Sequence, residues 1–137
     1  MLKIVTDYQA KAISNGDRTN PIVMVCDRLR IEPVVQRYYL HNDDITVFYT
    51  GVTLQARVDQ LPEDWNLQIL VQEAAPTAAQ WAALANNNLA EIGVIGSLVA
   101  ADVNYHPFWI RLIVPEGTAL QSLAAQILRL TYAEYQR

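Results

Sequence analysis

Asp102, Asn104, Tyr105 and His106 stand together in the stretch DVNYHPFWIRLIV, residues 102–114, and their types suit acid–base chemistry better than any other local group in the chain. Asp102 could orient His106, whose imidazole titrates near neutrality, as a general base while Tyr105 or Asn104 polarises a bound substrate. No serine or cysteine nucleophile stands beside them, and a four-residue spacing fixes no geometry. The same residues also read as the approach to a strand. Phe108, Ile110, Leu112 and Val114 then share one face and Trp109, Arg111 and Ile113 the other, with Pro107 at the first strand position, where its missing N–H costs least. This strand-end reading is the one we favour, with His106 and Asn104 in the preceding turn.

Other candidate groups are weaker. His41, Asn42, Asp43 and Asp44 carry ligand-type side chains, but a connection between strands calls for Asn and Asp equally, and a metal site draws on more than one segment. Cys26 lies between an apolar run and Asp27–Arg28; a small buried hydrophobe is the expected role. Gly93 and Gly96 lack the spacing of a dinucleotide loop or a P-loop. Arg28, Arg30 and Arg37 alternate with Asp27 and Glu32 into a nearly balanced surface. Neither a metal nor a cofactor is expected.

The aromatics carry more. Tyr38–Tyr39, Phe48–Tyr49 and Phe108–Trp109 are consecutive pairs on proposed strands, so each pair must point to opposite faces. A sheet covered by helices on one side would present aromatics on the other. Tyr38, Tyr39, Tyr49, Trp109 and Arg111 are accordingly the candidate contact residues, and Asp102, Asn104, Tyr105 and His106 the candidate ligand pocket. Of ten cationic residues only Lys3 and Lys11 are lysines, a bias that suits contact surfaces because the guanidinium fork is planar and preorganised.

The elements that position these residues follow from periodicity. TDYQ (6–9), TAAQ (77–80) and TALQ (118–121) each match a capping box, which predicts three helix starts. The first helix is stopped by Asn15 and Gly16, the second carries Trp81, Leu84 and Ala85, and the third runs from about Ala119 toward the end, with Leu120, Leu123, Ala124, Ile127, Leu130 and Thr131 on one face and Leu128, Tyr132 and Tyr135 on a second stripe. VTLQARVD (52–59) alternates with period two, as a sheet with one wet face needs. Gly51 before it is a tight turn or a bulge within one long strand. PIVMVCD from Pro21, WNLQILVQ from Trp65, EIGVIGSLVA from Glu91 and PFWIRLIV add extended segments, and VVQRYYL from Val34 is expected to pair with Ile45 to Thr50 across the HNDD turn. Together these predict an α+β fold: one domain over residues 1–137, with a largely antiparallel sheet of about five to seven strands packed by three helices.

Composition narrows the function. With 137 residues, 52% apolar and 18% charged, the chain can build a core. A net charge of −4 and no window rich in Lys and Arg disfavour nucleic acid. No apolar run reaches the roughly 18 to 20 residues of a membrane span, no signal peptide is evident, and one cysteine suits a reducing interior, so a soluble cytoplasmic protein is expected. The leading expectation is a non-catalytic domain that works by contact, with itself or with another protein, through aromatic sheet faces and the last helix. The alternative is a small-molecule sensor or small enzyme with its pocket near His106. A structural subunit that adds an edge strand to a neighbour is the third.

Overall fold

The computed structural model describes residues 2–6, 33–57, 61–84, 88–96, 105–115 and 128–136. Strands dominate them: β1 (Leu2–Val5), β2 (Val34–Asn42), β3 (Val47–Ala56), β4 (Asn66–Leu70), a short helix α1 (Ala78–Ala82), β5 (Leu89–Ile95), β6 (Tyr105–Ile113) and β7 (Leu128–Gln136). They form two antiparallel sheets, in the orders β1-β2-β6-β4 and β5-β3-β7. The expected α+β fold with three helices is therefore corrected to a mostly β architecture.

The core explains the layers. Tyr38, Leu40, Leu67, Ile69, Phe108 and Ile110 from the first sheet meet Val47, Tyr49, Val52, Leu54 and Ile95 from the second, and all are buried. Each large side chain removed from water contributes about 1.5–3 kcal/mol, enough to select one register over its neighbour. On β3 the alternation is as its sequence predicts: Val52, Leu54 and Ala56 are buried while Gln55 is exposed.

Gly51 resolves as a bulge. Its φ is 59°, and the pairing of β3 shifts register between Tyr49 and Val52 toward β5 and between Thr50 and Thr53 toward β7. The extra residue lets Tyr49 and Val52, three apart, both reach the core.

Two local expectations fail for non-local reasons. Residues 128–136 form a strand and not the end of a helix. The sequence LRLTYAEYQ also alternates with period two, and a long ladder from Val47↔Gln136 to Ala56↔Leu128 supplies the partner that a short 3.6-residue pattern has to compete with. The chain from β2 into β3 is not a hairpin either, because the two strands belong to different sheets. The corner is built by Asn42, which is fully buried. Its Nδ2 donates to Val47 O at 3.2 Å and its Oδ1 accepts from Asp44 N at 3.0 Å. Asp44 Oδ1 in turn accepts from the amide and hydroxyl of Thr46, and Asp43 pairs with Lys3 on β1. The HNDD carboxylates thus hold a corner, and both titrate below the usual carboxylate range, Asp43 through its hydrogen bond from Lys3 and Asp44 through the one from the Thr46 hydroxyl.

The capping box at Thr77–Gln80 is present in full: Gln80 N donates to Thr77 Oγ1 at 3.2 Å, and Thr77 N donates to Gln80 Oε1 at 2.9 Å. The helix it starts is only five residues long. The other two proposed helix starts, the strand from Pro21, Cys26, Arg28 and Arg30 lie outside the described residues, apart from Thr6. No helix among the described residues is long and apolar enough to cross a membrane.

Two outcomes follow from these features. Gly51→Ala forces an L side chain into the left-handed region, although nothing crowds its Cβ, and should cost about 1 kcal/mol by urea unfolding, with Gly51→Asn costing less; equal stability of the alanine variant and the unmodified protein would refute the bulge. Burial raises the Tyr38 phenol to about 12, against about 10 in the unfolded chain. Its contribution is complete below pH about 10 and is lost as pH climbs toward 12, because the unfolded state then releases a proton that the folded state keeps. Burial, and then the Glu134 carboxylate, raises Tyr49 in the same direction. Stability measured across that window should fall, and fall less steeply in Tyr38→Phe; parallel curves would contradict the assignment.

Candidate functional site

The β2–β6 register decides which residues are available. Tyr38↔Phe108, Gln36↔Ile110 and Val34↔Leu112 are partners on the core side; His41↔Tyr105, Tyr39↔Pro107, Arg37↔Trp109 and Val35↔Arg111 are partners on the outer side. β6 starts at Tyr105, so His106 lies within the strand and not in a turn before it, and Pro107 is its third residue and not its first. β4 joins β6 only from Leu70↔Trp109 onward, so among the described residues Pro107 has no strand partner on that flank, where a missing donor removes no ladder bond.

That outer face is a row of aromatic rings and guanidiniums. Arg37 Cζ lies 5.2 Å from the Tyr39 ring centroid and 5.7 Å from that of Trp109. Arg111 Cζ lies 5.8 Å from the Trp81 ring, which α1 lays over the same face. His41 stacks on Tyr105 with centroids 4.0 Å apart and planes 8° from parallel. Trp109 is fixed by its indole N–H, which donates to Gln72 O at 3.1 Å. Cation–π contacts of this kind contribute about 0.5–1 kcal/mol each and hold a guanidinium without neutralising it. Neither Arg37 nor Arg111 is ion-paired with a carboxylate among the described residues.

Gln68 organises the end of this row. It is 4% exposed, and it sits opposite Arg111 across the β4–β6 ladder. Its Nε2 donates to Leu84 O at 3.3 Å and, more weakly, to Trp81 O at 3.5 Å, so the amide oxygen is left to accept from Arg111 Nη1, also at 3.5 Å. Beside it opens a groove of about 530 Å³ lined by Val35, Gln68, Trp81, Leu84, Arg111 and Ile113 among others.

Asn88 closes the neighbouring sheet edge. Its Oδ1 accepts from Ile69 N at 2.7 Å and its Nδ2 donates to Ile69 O at 2.5 Å, occupying the backbone positions an added strand would use.

No known protein family, curated protein or solved structure matches this chain. The site's chemistry therefore has to be read from its own residues.

Of the residues singled out in the sequence, Trp109, Arg111, Tyr105 and Tyr39 share the outer face, with Tyr39 itself buried at 3% exposure. Tyr38 and Tyr49 are buried in the core at 2% and 0% exposure, where no partner reaches them. Asp102 and Asn104 lie outside the described residues. Tyr105 and His106 are adjacent on β6, and His106 partners the core residue Leu40, so the two point to opposite faces and do not line one pocket. Among the described residues no three His, Cys, Asp or Glu side chains come together as metal ligands. Sequence reasoning misses Gln68; its one signal is a polar residue between Leu67 and Ile69 in an otherwise apolar run. Trp81 reads in the sequence only as a helix-packing residue.

Replacing Gln68 with Leu keeps the volume but leaves Leu84 O without its donor. Urea unfolding should show a loss of about 1 kcal/mol; an unchanged midpoint at unchanged slope would remove Gln68 from this role.

Proposed function

We propose that the protein is a protein-interaction domain whose recognition surface is the outer face of the four-stranded sheet, and that its partner is an extended polypeptide carrying carboxylates among apolar residues. The observation that carries this reading is the combination of Arg37, Trp109 and Arg111 on one face, with both guanidiniums braced against rings, Arg111 against the buried Trp81, and neither ion-paired among the described residues. Tryptophan and arginine dominate binding energy at protein interfaces because they bury large areas while keeping a polar handle.

The charge argues against two copies meeting face to face. A twofold contact through this surface would bring the same guanidiniums together, whereas an acidic partner gains attraction and faster association. Tyr38, on the core side of β2, and Tyr49, on β3 of the other sheet, are both buried, which leaves them out of the interface.

Selection of a displayed random-peptide library against the protein should return sequences that pair Asp or Glu with Leu, Phe or Tyr. Arg37→Glu should weaken those peptides at least tenfold while lowering the unfolding free energy by no more than the roughly 1–2 kcal/mol of its two ring contacts, since Arg37 is otherwise exposed. Selected peptides devoid of acidic residues, or undiminished binding to the variant, would overturn the proposal.

A further inference from the structure

We infer that the groove beside Arg111 is a binding site for a monocarboxylate on an apolar body, the chemistry shared by a free hydrophobic acid and by the C-terminus of a polypeptide that ends in an apolar residue. This rests on the reading of the outer face as a recognition surface and names what its groove takes.

Among the described residues the groove presents one guanidinium in an otherwise mostly apolar lining: Val35, Trp81, Leu84 and Ile113 surround Arg111 and Gln68. Its size, about 530 Å³, falls within the roughly 300–1,000 Å³ range of small-ligand sites. Arg111 is half-buried, held from one side by the Trp81 ring and from another by Gln68 Oε1. Gln68 cannot turn its amide oxygen elsewhere without giving up Leu84 O. One Nη1 contact uses a fraction of the fork, and the remaining N–H donors have no carboxylate among the described residues. A planar carboxylate is the group that a fixed fork accepts in two parallel hydrogen bonds, and partial burial strengthens that pair over its exposed equivalent.

The single cation among the described lining residues limits the charge, and the apolar lining sets the rest. A phosphate or a dicarboxylate would bring further charge against Val35, Leu84 and Ile113 with no second cation among the described lining residues to meet it, at a desolvation cost. One carboxylate with an aliphatic or aromatic body matches both halves of the site.

Isothermal titration with phenylbutyrate and phenylbutyramide, and with acetyl-alanyl-leucine as free acid and as amide, tests this. Each acid should bind at least tenfold tighter than its amide, and Arg111→Gln should abolish that difference while Arg111→Lys keeps part of it. Binding of phenylbutyrate alone assigns the groove to free acids; tighter binding of the dipeptide acid assigns it to polypeptide ends. Equal binding of acids and amides, or a difference that survives in a folded Arg111→Gln protein, overturns the inference. If neither acid binds while Arg37→Glu still abolishes selected peptides, the groove assignment falls and the recognition surface stands. If acids bind through Arg111 while no acidic peptide is selected, the reverse holds.

Discussion

The pairing of β2 with β6 is the constraint on which both core and site depend. Side chains alternate with period two, so one register sends Tyr38, Phe108 and Ile110 inward and Arg37, Trp109 and Arg111 outward. A slip of β6 by one residue would bury the Arg111 guanidinium and expose Phe108, Ile110 and Leu112. Unpaired buried charge costs several kcal/mol per ion and each lost apolar side chain about 1.5–3 kcal/mol, so the alternative is excluded by energy of the order of the whole fold's stability. The recognition face is thus set by the same hydrophobic selection that forms the core.

Around that pair the structure uses short polar devices where strands must end or turn. Asn42 and Asp44 divert the chain from one sheet to the other without leaving buried amides unmet at the corner. Asn88 occupies the edge of β4 with its side-chain amide. Gln68 links α1 to β6 by reaching the end of the helix with one side of its amide and Arg111 with the other. Asn88 and Gln68 are each far in sequence from what they hold.

That separation explains what is legible in the sequence. The wet and dry faces of residues 52–56, the bulge at Gly51 and the capping box at Thr77 depend on neighbours within a few positions, and all are readable. The strand at Leu128–Gln136 is not, because Leu128, Leu130 and Tyr132 fit a strand alternation while Leu128, Tyr132 and Tyr135 fit a helical stripe, and only β3 decides between them. The parity of Tyr38–Tyr39 and Phe108–Trp109 is plain, but parity does not say which side is the inside, so Tyr38 and Tyr49 enter the candidate site although both belong to the core. Trp109 and Arg111 are recognisable as neighbours on one face; Gln68 and Trp81 join them through β4 and α1, contacts that no local pattern encodes.

The measurement that bears most directly on this account is the backbone register of β2 against β6 in solution, read from cross-strand proton–proton contacts by nuclear magnetic resonance. A short contact between the backbone protons of Arg37 and Trp109, with a matching one between Val35 and Arg111, is the expected result. Short contacts from Arg37 to Phe108 or to Ile110 would mean a slipped pair, and would put Trp109 and Arg111 on the core side and the proposed face out of existence.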